Sequence, residues 1–118
     1  MLRTMLKSKI HRATVTQACL DYEGSISVDS RLLEAADILE YEQVHIYNIS
    51  NGERFTTYAI TGEPDSGVIC LNGAAARKVS VNDLIIICTY VAMEDGECPG
   101  HHSKNVYVDK DNRIVAKK

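Results

Sequence analysis

Residues 84–91 (LIIICTYV) are a continuous uncharged run rich in β-branched side chains, and they predict a strand at the centre of the core. The rest of the chain offers mostly further strands to lay beside it. Residues 3–16 are rich in Thr, Val and Ile and predict a long strand with a cationic side, since Arg3, Lys7, Lys9 and Arg12 precede the first acid, Asp21. Residues 44–49 and 54–60 flank Asn51-Gly52, the strongest short-range hairpin signal, and predict two antiparallel strands. Residues 26–28 alternate briefly, 68–71 form a short apolar strand, and 105–108 with 113–116 predict a last hairpin across 109–112. One short amphipathic helix is predicted over 30–38, with Asp29 as N-cap and Leu32, Leu33, Ala35, Ala36 and Ile38 on its apolar face. The pattern is that of a mainly β domain.

A chain of 118 residues is one domain, large enough for its own core. Lys and Arg number 13 against 16 Asp and Glu, a net charge of −3, which argues against a duplex nucleic acid partner. Residues 1–10 are broken by Arg3, Lys7 and Lys9, so they lack the apolar stretch of a signal peptide, and no later run approaches a membrane span. The expected location is the cytoplasm. Cys19, Cys70, Cys88 and Cys98 have no framework spacing, and Cys70 and Cys88 lie in apolar runs, which predicts reduced thiols rather than disulfides.

Several short stretches carry chemistry-bearing side chains. Lys9 and His11 alternate onto one strand face about 6 to 7 Å apart, close enough to serve one small ligand, although a solvated edge needs the same pattern. Gly24-Ser25 follows Tyr22-Glu23; on its own the dipeptide is an ordinary loop. Asn72-Gly73-Ala74-Ala75-Ala76 lets a ligand lie against the backbone, or only makes a tight strand-to-helix connection. In residues 54–60, Arg54, Thr56 and Tyr58 share one face and Phe55, Thr57 and Ala59 the other. Thr57 and Tyr58 can therefore serve one site only through a bulge, a strand end, or contributions to two faces or subunits. Cys98-Pro99-Gly100-His101-His102 supplies metal-capable side chains, but without the separated pairs of a zinc site it predicts a polar loop.

Taken together, the Lys9/His11 strand, Tyr22-Glu23-Gly24-Ser25, Asn51-Gly52 followed by residues 54–58, and Asn72 to Ala76 resemble the bacterial pyruvoyl-dependent aspartate 1-decarboxylases. The resemblance runs from Met1 to about Val91 and leaves the tail after Ala92 unassigned. It implies a six-stranded double-psi β-barrel with short capping helices and a homotetramer with active sites between subunits. It also implies self-cleavage between Gly24 and Ser25 into chains 1–24 and 25–118, with a maturation factor among the partners it allows. Ser25 would become a covalent pyruvoyl group that forms a Schiff base with L-aspartate, giving β-alanine and CO2 for pantothenate and coenzyme A synthesis without a dissociable cofactor or metal. Tyr58 matches the family's proton donor. Lys9, Arg54, Thr57, Gly73, Ala74 and Ala75 match substrate-binding positions, and His11, Tyr22 and Asn72 supporting ones. Two other readings compete. One is a non-catalytic β-barrel that binds an anion or partner protein, with Gly24-Ser25 inert. The other is pyruvoyl chemistry on arginine or histidine, which the cations Lys9 and Arg54 disfavour.

Overall fold

The computed structural model describes residues 1–118. Nine strands form: β1 (Leu2–Thr14), β2 (Gln17–Cys19), β3 (Ser25–Asp29), β4 (Gln43–Asn48), β5 (Arg54–Gly62), β6 (Ile69–Asn72), β7 (Leu84–Glu94), β8 (Lys104–Val108) and β9 (Ile114–Lys117). One α-helix, α1 (Ser30–Ala35), and two 3-10 turns, Gly73–Lys78 and Asp95–Gly100, complete it. A single mainly β domain with short helices is as expected. Six strands were implied; the additional ones are the three-residue β2 and the β8/β9 hairpin, which lies beyond the stretch that carried the resemblance.

The strands hydrogen-bond in the order β2-β6-β3-β5-β4-β7-β1-β8-β9, so β7 sits between β4 and β1 and is antiparallel to both. Parallel pairs join sequence-distant strands: β1 with β8, β2 with β6 and β3 with β5. Period-two burial makes the core, with Val44 and Ile46 from β4 facing Ile85 and Ile87 from β7, and Ile10, Ile26 and Leu71 completing the contact. Each such side chain contributes about 1.5 to 3 kcal/mol on leaving water. The opposite face of β7 is only partly covered: Ile86 is half-buried and Tyr90 exposed.

A thirteen-residue strand cannot stay flat around so small a core, and β1 bends at two register shifts against β7, between Leu6 and Ser8 and between Ile10 and Ala13. Arg12, at φ 62, lies in the second. At the first, the buried hydroxyls of Ser8 and Thr89 face each other and satisfy one another at 2.6 Å.

Asp29 caps α1 as expected, its Oδ1 accepting from the Arg31 N–H. The helix is shorter than its apolar pattern suggested. Asp37 turns left-handed at φ 56, so the chain leaves the helix after Ala35, yet Ile38 still reaches the core. The Asp29 carboxylate is buried and also accepts the Asp65 and Gly67 N–H groups at 3.1 and 2.9 Å, tying the turn before β6 to β3. Asp29→Ala leaves these three donors without their acceptor and is expected to lower stability by about 2 to 4 kcal/mol, read from urea unfolding. A loss below 0.5 kcal/mol, about the size of an ordinary surface substitution, would show that the carboxylate is not what holds the turn.

Candidate active site

Between β2 and β3 the backbone turns at Leu20 and runs irregularly through Gly24 before Ser25 opens β3. Ser25 is 2% exposed and pairs with Asn72, the last residue of the antiparallel β6. That register brings the Asn72 side-chain amide to the serine: its Nδ2 donates to Ser25 Oγ at 2.9 Å and to Ser27 Oγ at 3.2 Å. The other end of the amide is fixed too, because the Cys70 thiol donates to Asn72 Oδ1 at 3.2 Å. Immediately after Asn72, Gly73 adopts φ +65, and a Cβ there would lie 2.8 Å from Gly24 Cα, Gly24 N and Tyr22 O. Conformation and space both require glycine, since the two backbones are in direct contact.

A cleft of about 390 Å³ opens beside this contact, lined by Gly24, residues 55–58, Ala74, Ala75 and Lys78. Its existence follows from how β5 changes partners. Residues 54–58 pair with β4 on one edge only, and pairing with β3 begins at Ala59. The vacated edge faces Gly24 and the Gly73–Lys78 turn, so Thr57 and Tyr58, which point to opposite faces, both border the same opening. Thr57 and Tyr58 stand inside β5 rather than at its end, and of the alternatives left open by the alternating pattern it is contributions from two faces that the change of partner allows. Tyr58 is 39% exposed, and neither its hydroxyl nor that of Thr57 has a protein partner.

Lys9, His11 and Arg54 lie outside that cleft. Lys9 stands opposite Cys88 of β7, and Arg54 stacks on Tyr47 with its guanidinium carbon 3.8 Å from the ring centroid. Tyr47 is held in turn by a 2.6 Å hydroxyl contact with Tyr90. Burial pushes the Cys88 thiol pKa up, opposed by the charge of Lys9, a hydrogen bond from Tyr90 and the charge of Arg54. Neither cation forms an ion pair, whereas Lys7 is paired with Glu42 and Lys78 with Glu53. His11 packs edge-on against Tyr107, and its Nδ1 is buried without a partner. Burial, then Lys9 and Arg12, hold its pKa below the ordinary imidazole value, so the ring is neutral near pH 7.

The sequence profile of the aspartate decarboxylase family matches residues 1–115. The aspartate 1-decarboxylase of Syntrophus aciditrophicus is 63% identical over 97% of this chain and 98% of its own length. That of Methylobacillus flagellatus is 60% identical over 97% of this chain and 90% of its own. This chain belongs to the aspartate decarboxylase family. Among solved structures, the computationally designed protein msDPBB_sym2 aligns over 72% of this chain and 96% of its own, with 15% identity and a TM-score of 0.47.

Set against this family membership, the structure divides the expected residues into two groups. Gly24, Ser25, Thr57, Tyr58, Asn72, Gly73, Ala74 and Ala75 gather around one contact and its cleft. Lys9 on β1 and Arg54 at the start of β5 lie outside that cleft, while the Tyr22 side chain projects into solvent and only its carbonyl meets Gly73. Sequence reasoning missed Ser27, which shares the Asn72 amide, and Tyr47, which supports Arg54. The alternation Ser25, Ile26, Ser27 puts both serines on one face and is a usable signal for the first. His101, in the tail that inherited nothing, contacts the Leu6 carbonyl at 2.6 Å, and the Cys98 thiol donates to the Glu94 carbonyl.

A larger hollow of about 500 Å³ borders Thr14, Gly67 and Asn112, but its buried amide, Asn112, already donates to the Thr14 and Gly67 carbonyls. That amide is spent on structure. Gly73→Ala is expected to destabilise the family fold locally by about 1 to 3 kcal/mol through its left-handed backbone, with the clash displacing residues 22–24. Limited proteolysis should then cut that segment much faster than in the parent chain, and unchanged proteolysis would mean the two backbones are not in contact.

Proposed function

We propose that this chain cleaves itself between Gly24 and Ser25 and, as chains 1–24 and 25–118, decarboxylates L-aspartate to β-alanine and CO2 in the cytoplasm for pantothenate and coenzyme A synthesis. The observation that carries this reading is the 2.9 Å contact between Asn72 Nδ2 and Ser25 Oγ, beside a Gly24 backbone packed directly on Gly73.

Self-cleavage starts when Ser25 Oγ bonds to the Gly24 carbonyl carbon and the Ser25 nitrogen leaves, so that an amide becomes an ester. Developing negative charge on the Gly24 oxygen needs donors, and the chain offers the Thr57 hydroxyl on the cleft wall and the Asn72 amide. Loss of the Ser25 α-proton then expels the Gly24 carboxylate, and hydrolysis of the dehydroalanine left behind releases ammonia. The residues present fit the resulting group: it would be held at the buried start of β3 by Asn72, against the cleft. Once formed, the pyruvoyl carbonyl supplies the electron sink that lets an amino acid lose its α-carboxylate.

The chain's own residues then divide the work. Tyr58, on the cleft wall with an unpartnered hydroxyl, supplies the proton that replaces CO2 at Cα. Backbone amides of Gly73, Ala74 and Ala75 orient the departing carboxylate without a full countercharge, which would stabilise the ground state and slow its loss. Lys9 and Arg54 hold the side-chain carboxylate that survives, with Arg54 pre-oriented on Tyr47. His11 and Tyr22 shape the surroundings. Since the cations stand apart from the cleft of their own chain, the reading calls for them to be brought by a neighbouring copy, which agrees with a homotetramer whose sites lie between subunits. A maturation factor would act on the cleavage step. No helix of the chain is long and apolar enough to cross a membrane.

Intact mass spectrometry should resolve two fragments from the purified protein, and borohydride added with aspartate should raise only the mass of the larger. Ser25→Ala should give one folded species of 13.1 kDa with no activity. An intact wild-type chain that still turns over aspartate would overturn the proposal; an intact, inert one would point instead to a non-catalytic binding domain. Arg54→Ala should raise the aspartate KM about 10- to 100-fold, the loss of one or two charge-assisted hydrogen bonds, while cleavage proceeds normally. An unchanged KM would move the carboxylate clamp elsewhere.

A further inference from the structure

Two thiols lie beside the cleavage machinery, Cys70 as the donor that fixes the Asn72 amide and Cys19 with no contact to it. Cys19 ends β2 and is exposed, whereas Cys70, in β6, is 6% exposed. Their sulfurs are 3.7 Å apart. The register explains the approach: β2 and β6 are parallel, Gln17 stands opposite Cys70 and Cys19 opposite Asn72. Cys19 and Cys70 are therefore diagonal neighbours on the same face. Cys88 and Cys98 have no sulfur neighbour; the first stands opposite Lys9 in the β1/β7 ladder, and the second bonds the Glu94 carbonyl.

We infer that Cys19 and Cys70 are a reactive dithiol that a small-molecule disulfide oxidises to an intramolecular disulfide, and that after cleavage this bond ties the two chains together. The second half rests on the proposed cleavage, because Cys19 belongs to residues 1–24 and Cys70 to residues 25–118. The first half stands on geometry alone.

The order of events follows from access and acidity. Burial, then the neighbouring Cys19, pushes the Cys70 thiol up to about 11, so Cys70 is protonated and shielded while Cys19 meets solvent. The Cys19 thiolate attacks one sulfur of the disulfide and displaces a thiolate, leaving Cys19 in a mixed disulfide. Cys70 loses its proton to that thiolate and attacks the Cys19 sulfur, which expels the second thiol. Two protein thiols are oxidised and one small disulfide is reduced to two thiols. Closing the sulfurs from 3.7 Å to the bonded distance of about 2.05 Å draws the end of β2 inward. The movement displaces no buried side chain of β2, since all three of its residues are exposed and it is an edge strand paired with β6 alone.

The test uses the mature protein incubated with glutathione disulfide and separated under denaturing conditions with and without reductant. Without reductant the two chains should migrate as one species, two hydrogens lighter than the summed chains, and reductant should separate them. Cys19→Ser should cleave and turn over as the parent does, yet never show the linked species. If the chain proves uncleaved, one band appears under both conditions, but Cys19 and Cys70 should still resist alkylation and appear as one linked peptide after proteolysis. Failure of the cleavage proposal is thereby distinguished from failure of this one. Chains that separate without reductant while all four thiols alkylate would overturn the inference, as would a linked species that persists in Cys19→Ser.

Discussion

Ser25 stands opposite Asn72 on adjacent antiparallel strands, and most of the functional geometry follows from that one pairing. A shift of one residue would turn the Asn72 amide to the other face of β6 and leave the serine hydroxyl without its donor. The pairing ends the ladder and is held in register by the buried apolar pairs that follow it, Ile26 opposite Leu71 and Val28 opposite Ile69. Core packing thus fixes the register on which a polar contact depends. The turn that follows Asn72 uses the same anchor, since Gly73 meets Gly24 only because the strands on either side are in register.

Beside this anchor, the exchange of partners along β5 supplies the space. A strand paired on both edges throughout would have no opening there. By pairing with β4 to Tyr58 and with β3 from Ala59, β5 leaves an edge where side chains of both faces can border a ligand. Lys9 and Arg54 remain unpaired with any acid, so their charge is available to whatever anion reaches them.

Much of the fold was legible in the sequence because it depends on local signals. The Asp29 cap, the apolar run in β7 and the β8/β9 hairpin each rest on residues close in the chain. The helix end was not, since apolar spacing continues to Ile38 and only the left-handed Asp37 stops it. The β4/β5 register was not either. A two-residue turn at Asn51-Gly52 would set Tyr47 opposite Thr56, yet Tyr47 stands opposite Arg54. The Asn48 side chain holds Ser50 N and Asp83, which widens the loop, and no local pattern announces a partner that distant. For the site, resemblance identified the residues that gather around Ser25, but their division into two groups is a property of strand order and could not be read from spacing.

The first 24 residues contain β1 and β2, which pair with β7, β8 and β6. Cutting after Gly24 therefore severs no ladder. It does alter the topology of unfolding. A denatured intact chain refolds by a unimolecular search, whereas a cut one must first find its missing strand by diffusion, so recovery becomes second order and fails on dilution. A chain cut there would trade a reversible fold for one whose persistence is set by how slowly β1 peels away from β7 and β8.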